Sequence, residues 1–118
     1  MTGRSNSLTA NSERDSMFVA EDIERYASAY LGDQSRDNPL ASPLLADLSG
    51  LPPMLIQVGQ DEVLLDDARG VDAKVRVAGG SSKLRIYKEV PHGWHYGAPF
   101  VPETRLALKE VADFIRRQ

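Results

Sequence analysis

Two segments of this chain carry the pattern of a β-strand, Met54-Leu-Ile-Gln-Val-Gly59 and Lys83-Leu-Arg-Ile-Tyr-Lys-Glu-Val90, and the way they are joined limits what the chain can fold into. The first is a short apolar run, interrupted by Gln57, of the kind buried on both faces of a parallel sheet. The second alternates Leu84, Ile86 and Val90 with Lys83, Arg85, Tyr87 and Glu89, as a strand does near a sheet edge or with one wetter face. Between them Ala68, Val71, Val75 and Ala78 recur at helical spacing, after Asp66-Asp67 and before Gly79-Gly80, which predicts a helix over 65–78. Two strands and a crossover helix make one βαβ unit, and its buried surfaces need further strands beside them. Either a longer parent polypeptide supplies those strands, or copies of the chain pair edge to edge, or the isolated chain is poorly packed.

The rest of the chain adds helices and a loop but no further strand. Residues 1–16 are rich in Ser, Asn, Thr and Arg with a single leucine, Leu8, and read as a loop or disordered lead-in to a unit spanning 17–118. Ile23, Tyr26, Ala27, Tyr30 and Leu31 form an amphipathic stripe, with Glu21 and Asp22 at its start and Gly32 as a C-cap. The stretch 33–53 holds four prolines and predicts a long ordered loop. A last helix opens at Pro102-Glu103 and runs through Leu108, Val111, Ala112 and Ile115 to Arg116-Arg117. The predicted class is α/β, in the order helix, loop, strand, helix, strand, helix, incomplete as a sheet of its own.

A length of 118 residues suits one domain of ordinary size. The net charge of −3 offers no footprint for nucleic acid or an anionic membrane. The absence of cysteine excludes a disulfide framework, a thiolate zinc site and a cysteine nucleophile. No apolar run approaches the ~20 residues of a membrane span, and the polar N-terminus lacks the apolar core of a signal peptide, so the expectation is a cytoplasmic protein.

In open α/β sheets functional groups gather at the carboxyl ends of the strands. The first strand here ends in Gly59-Gln60-Asp61-Glu62 and the second in Pro91-His92-Gly93-Trp94. Adjacent parallel strands would bring Asp61 and His92 to one edge, where a carboxylate could fix the tautomer of an imidazole. His95, the second of the two histidines, has no strand end of its own and is expected to pack beside Trp94 or line a pocket. Glu62, Asp66 and Asp67 read as charges on the first turn of a helix. Their spacing fits no calcium loop, there is no His-Glu-x-x-His helix, and neither a metal nor another cofactor is expected. Trp94, Tyr96 and Phe100 are candidates for an apolar pocket wall, although aromatics after a strand more often serve a core or interface.

The runs SPLLADLSGLPPMLIQVGQDEVLLDDARGVDAKVRVAGG and LRIYKEVPHGWHYGAPFVPETRLALKEVADFI resemble the C-terminal region of α/β-hydrolases of the hormone-sensitive-lipase group, serine esterases acting on short acyl esters. The resemblance extends over roughly residues 15–118 and is most specific between Ser42 and Ile115. It implies that Asp61 is the acid and His92 the base of a catalytic triad, and that the substrate of the complete enzyme is a small acyl ester. It also implies a homodimer through strand 83–90 and the adjoining helix, since that strand lies at the sheet edge in the group and leaves backbone groups unpaired. The chain departs from the group in having neither the Gly-x-Ser-x-Gly nucleophile elbow nor the His-Gly-Gly-Gly oxyanion loop. On this reading it is a fragment that contributes acid and base and is inactive alone. The rival is a non-catalytic α/β interaction or dimerisation module in which Asp61 and His92 are idle.

Overall fold

The computed structural model describes residues 5–118. Among them, four helices and two strands follow one another as α1 (Asn6–Ala10), α2 (Ala20–Leu31), β1 (Met54–Gly59), α3 (Leu65–Val77), β2 (Ser82–Tyr87) and α4 (Pro102–Ile115), with 3-10 turns at Pro43–Leu45 and Trp94–Gly97. β1 and β2 pair in parallel, with Gln57 opposite Arg85 and Gly59 opposite Tyr87, so the strands end level. α3 is the crossover helix and packs on both strands. This is the expected βαβ unit of an α/β sheet. Only these two strands pair among the described residues, leaving Met54 to Gln57 half-exposed where a central strand would be covered.

Each helix begins and ends for local reasons. Gly32, at φ +54°, accepts the left-handed turn that stops α2, and its N–H returns to the Ser28 carbonyl. Asp66 and Asp67 lie in the first turn of α3 and Lys74 and Arg76 in its last, each pair favourable to the helix dipole. Pro102 opens α4, where no backbone N–H is required.

The structure departs from expectation in two elements. β2 ends at Tyr87 instead of reaching Val90, because Glu89 turns into the left-handed region at φ +55° and takes the chain out of the ladder. The lead-in over 5–16 is not a featureless loop: α1 forms, and Ser7, Leu8 and Asn11 are buried. Residues 1–4, the rest of that segment, lie outside the described residues.

Six of the ten buried apolar residues among those described gather in two clusters. Leu8, Ile23 and Val63 meet, with Phe18, Ala20 and Leu64 packed against them, beside the loop after β1. Val90, Trp94 and Ala107 meet, with Tyr87 against them, around the loop after β2. The apolar anchors thus sit next to the two strand-end loops, where they fix the site.

Candidate active site

The two loops converge on one contact. His92 Nδ1 lies 2.7 Å from Glu62 Oε2, and Glu62 is 4% exposed. The other carboxylate oxygen, Oε1, accepts the Gly59 N–H at 2.6 Å. A carboxylate has no proton to give, so Nδ1 carries the hydrogen and Nε2 is the nitrogen left for proton exchange. The Phe18 ring meets the imidazole edge-on, with centroids 5.3 Å apart. His92 also lines a cavity of about 450 Å³, walled by Met17, Val90, Trp94, Tyr96 and Val101, with Glu89 and Glu103 in its lining.

Glu62, and not Asp61, makes this contact. Asp61 is half-buried in the same turn and lines a polar depression with Arg14, Asp15, Ser16, Glu62 and Glu89. The expected pairing of Asp61 with His92 is therefore replaced by one a residue further on. The turn explains it: the Glu62 N–H bonds back to the Gly59 carbonyl at 3.3 Å, and its side chain folds over the end of β1 to receive the Gly59 N–H. Gly59 makes room for this, since a Cβ there would stand 2.6 Å from the Val90 carbonyl and 3.0 Å from Glu62 Oε1. Glu62 precedes α3 and is no first-turn charge. Asp66 and Asp67 do lie in that first turn, as expected.

The lead-in holds the acid loop from below. Asn11 Nδ2 donates to the carbonyls of Gln60 at 3.2 Å and Glu62 at 2.9 Å, from either side of Asp61. Asp15 Oδ2 accepts the Val63 N–H at 2.9 Å, and Ser7 Oγ donates to the Val63 carbonyl at 2.8 Å. Ser7 Oγ in turn accepts the Asp66 N–H at 3.0 Å. Polar residues that offered nothing to an apolar core are thus used as hydrogen-bonding partners of a loop that has no ladder of its own.

The base loop is held from the other side. Glu89 and Gly93, the latter at φ +70°, are left-handed residues on either side of His92 and turn the chain twice within five residues. Trp94 is buried at 5% exposure, and its carbonyl accepts the hydroxyl of fully buried Thr104 at 2.6 Å. His95 stacks on Trp94 with centroids 4.0 Å apart, as expected of a neighbour in the wall, and reaches Gln57 of β1 at 2.8 Å. Burial holds its imidazole below the ordinary value of 6.5, with Glu62 acting upward and His92 downward. Tyr96 and Phe100, at 96% and 89% exposure, lie on the surface, Tyr96 at the rim of the cavity. No group of three His, Asp or Glu side chains among the described residues could hold a metal ion. No described helix is long and apolar enough to cross a membrane.

Residues 1–96 match a protein family described by the alpha/beta hydrolase fold. An acetyl-hydrolase of Streptomyces hygroscopicus is 40% identical over 93% of this chain and 37% of its own length. An esterase of Acinetobacter venetianus is 33% identical over 97% of the chain and 38% of its own length. Among solved structures, an esterase from the bacterial hormone-sensitive lipase family superposes on the whole chain with a TM-score of 0.97 and 41% identity, over 40% of that protein. The chain thus spans about two fifths of the proteins it resembles. It belongs to the α/β-hydrolases, and its sequence and fold are those of the C-terminal region of the hormone-sensitive-lipase group.

Proposed function

We propose that this chain supplies the acid and the base of a serine carboxylester hydrolase, with Glu62 as acid and His92 as base. The observation that carries the reading is the 2.7 Å contact between a buried carboxylate and an imidazole at adjacent parallel strand ends. A serine hydroxyl from sequence beyond these 118 residues attacks the carbonyl carbon of a small acyl ester, and His92 Nε2 takes its proton. The same proton passes to the departing alkoxide, and Glu62 remains ionised throughout, holding the tautomer and stabilising the imidazolium. The acyl-enzyme is then hydrolysed by water, activated by the same nitrogen. The chain has neither a Gly-x-Ser-x-Gly elbow nor an oxyanion loop, and by itself it does not turn over esters.

Carboxamide variants in the active, complete enzyme separate the two neighbouring acids. Glu62→Gln lowers kcat by about 10³ to 10⁴, the scale on which a triad acid acts by fixing its histidine, whereas Asp61→Asn leaves kcat within about threefold. The opposite ranking would return the role to Asp61. An edge-to-edge homodimer is a second reading, resting on the absence of a further strand partner for β2 among the described residues; the exposed cations Lys83 and Arg85 on that strand weigh against it. Size-exclusion chromatography at two concentrations tests it, and a monomer at both rejects it.

A further inference from the structure

Gln57 is a polar residue inside a strand that otherwise reads as apolar, and His95 is a histidine that the proposed chemistry does not use. The structure joins them. Gln57 Nε2 faces three acceptors: the Ala107 carbonyl at 3.1 Å, Glu110 Oε2 at 3.2 Å and the Tyr87 hydroxyl at 3.4 Å. Tyr87 itself donates to Glu110 Oε2 at 2.9 Å, so its oxygen is free to accept. Lys83 and Arg85 close on the other Glu110 oxygen at 3.0 and 2.9 Å. Burial raises the Glu110 carboxyl, but its donors Lys83, Tyr87 and Gln57 and the charge of Arg85 outweigh that and keep it below its ordinary value. A carboxylate and a carbonyl can only accept, and turning the amide over would set its oxygen against both. Gln57 Oε1 is therefore the atom facing His95, and it accepts. The Nε2 of His95, 2.8 Å away, must carry the hydrogen. His92 and His95 are thus held in opposite tautomers, one with hydrogen on Nδ1 and the other on Nε2.

His95 lies in the same short turn as His92. The Trp94 N–H bonds to the Pro91 carbonyl and the Tyr96 N–H to the Gly93 carbonyl, so backbone hydrogen bonds tie the turn together. Trp94 anchors it in the apolar cluster, and His95 anchors it to the sheet. We propose that Gln57 and His95 are positioning residues: the Gln57 amide, oriented by α4 and Tyr87, seats the His95 ring and thereby keeps the turn that presents His92 in register with Glu62. This rests on the reading of Glu62 and His92 as acid and base.

The test uses long-range proton–nitrogen NMR of the two imidazoles in the nitrogen-15-labelled 118-residue chain. The unmodified chain is expected to show an Nδ1–H tautomer for His92 and an Nε2–H tautomer for His95. His95→Phe keeps the stacking on Trp94 and deletes the donor, and Gln57→Leu deletes the acceptor. Each is expected to speed exchange of the His92 Nδ1 proton with water by roughly five- to tenfold, as for loss of one buried hydrogen bond. His95→Gln, whose amide can donate to Gln57 in place of the imidazole, is expected to keep exchange within about twofold of the unmodified chain. A dispersed amide spectrum of each variant separates a loosened turn from an unfolded chain. Unchanged exchange in His95→Phe and Gln57→Leu would overturn the positioning role alone, as would equal loss in His95→Gln. Absence of the Nδ1–H signal from the unmodified chain would instead overturn the Glu62–His92 pair on which the proposal stands.

Discussion

Asp61 and Glu62 stand next to each other with the same charge, and only the path of the backbone between Gly59 and Val63 decides which of them meets the imidazole. That path depends on Gly59, where a side chain would collide with the Val90 carbonyl and crowd Glu62. A backbone carbonyl cannot swing aside as a flexible side chain can. Gly59→Ala is therefore expected to lower stability by about 1–3 kcal/mol and to lengthen the Glu62–His92 contact. Chemical denaturation together with the chemical shift of the His92 ring nitrogens would detect both effects, and an unperturbed variant would mean that the two loops are less tightly apposed than described. The carboxyl-end rule brought an acid and a histidine to one edge from sequence alone, but spacing along the chain could not separate neighbouring carboxylates.

His95 gives a pH dependence at the same scale. Its folded pKa is depressed by burial, so as pH falls below 6.5 the unfolded chain takes up a proton that the folded chain resists. The stability this group contributes is full above 6.5 and is lost as pH falls towards the depressed folded value. Melting the protein at about pH 7.5 and about pH 5.5 should show a loss that is smaller in His95→Gln, which does not titrate there. His92 and the carboxylates are common to both proteins, so an equal loss in the two would remove His95 as its source.

Among the elements, α2, α3 and α4 were legible because apolar residues recur at helical spacing and the ends carry matching charges, Pro or Gly. The lead-in that holds α1 was not, because its contribution lies in hydrogen bonds of Ser7, Asn11 and Asp15 with residues more than 45 positions away, which no local pattern encodes. The end of β2 was missed for a similar reason. The alternation continues to Val90, while the backbone leaves the sheet at Glu89 to bring His92 round to Glu62. The lead-in is thus a support for the acid loop and not an appendage. Asn11→Ala removes one side chain that satisfies two loop carbonyls, and a loss of about 1–3 kcal/mol is expected in a urea titration. A variant as stable as the parent would show that the loop keeps its shape without the lead-in.

At the level of the molecule, the two edges of the sheet differ in character. β2 bears the exposed cations Lys83 and Arg85, of a kind that discourages further pairing. β1 has the half-exposed Met54, Leu55 and Ile56, and the open cavity beside Ile56, Val58, Ala68 and Val71 reaches Glu62 and His92. The side of β1 is accordingly where further strands fit, and on the proposed mechanism a serine delivered there would arrive next to the imidazole. Of the two ways to complete the sheet left open by the sequence, this asymmetry favours a longer polypeptide, in keeping with a chain that spans 37% and 38% of its relatives.

The most direct test is hydrolysis of p-nitrophenyl butyrate by the 118-residue chain alone and by the chain joined to the part of the Streptomyces hygroscopicus acetyl-hydrolase that it does not match. The account predicts no turnover above the uncatalysed rate for the chain alone, turnover by the joined protein, and its loss on His92→Ala. Hydrolysis by the isolated chain, or a joined protein whose activity survives His92→Ala, would contradict it.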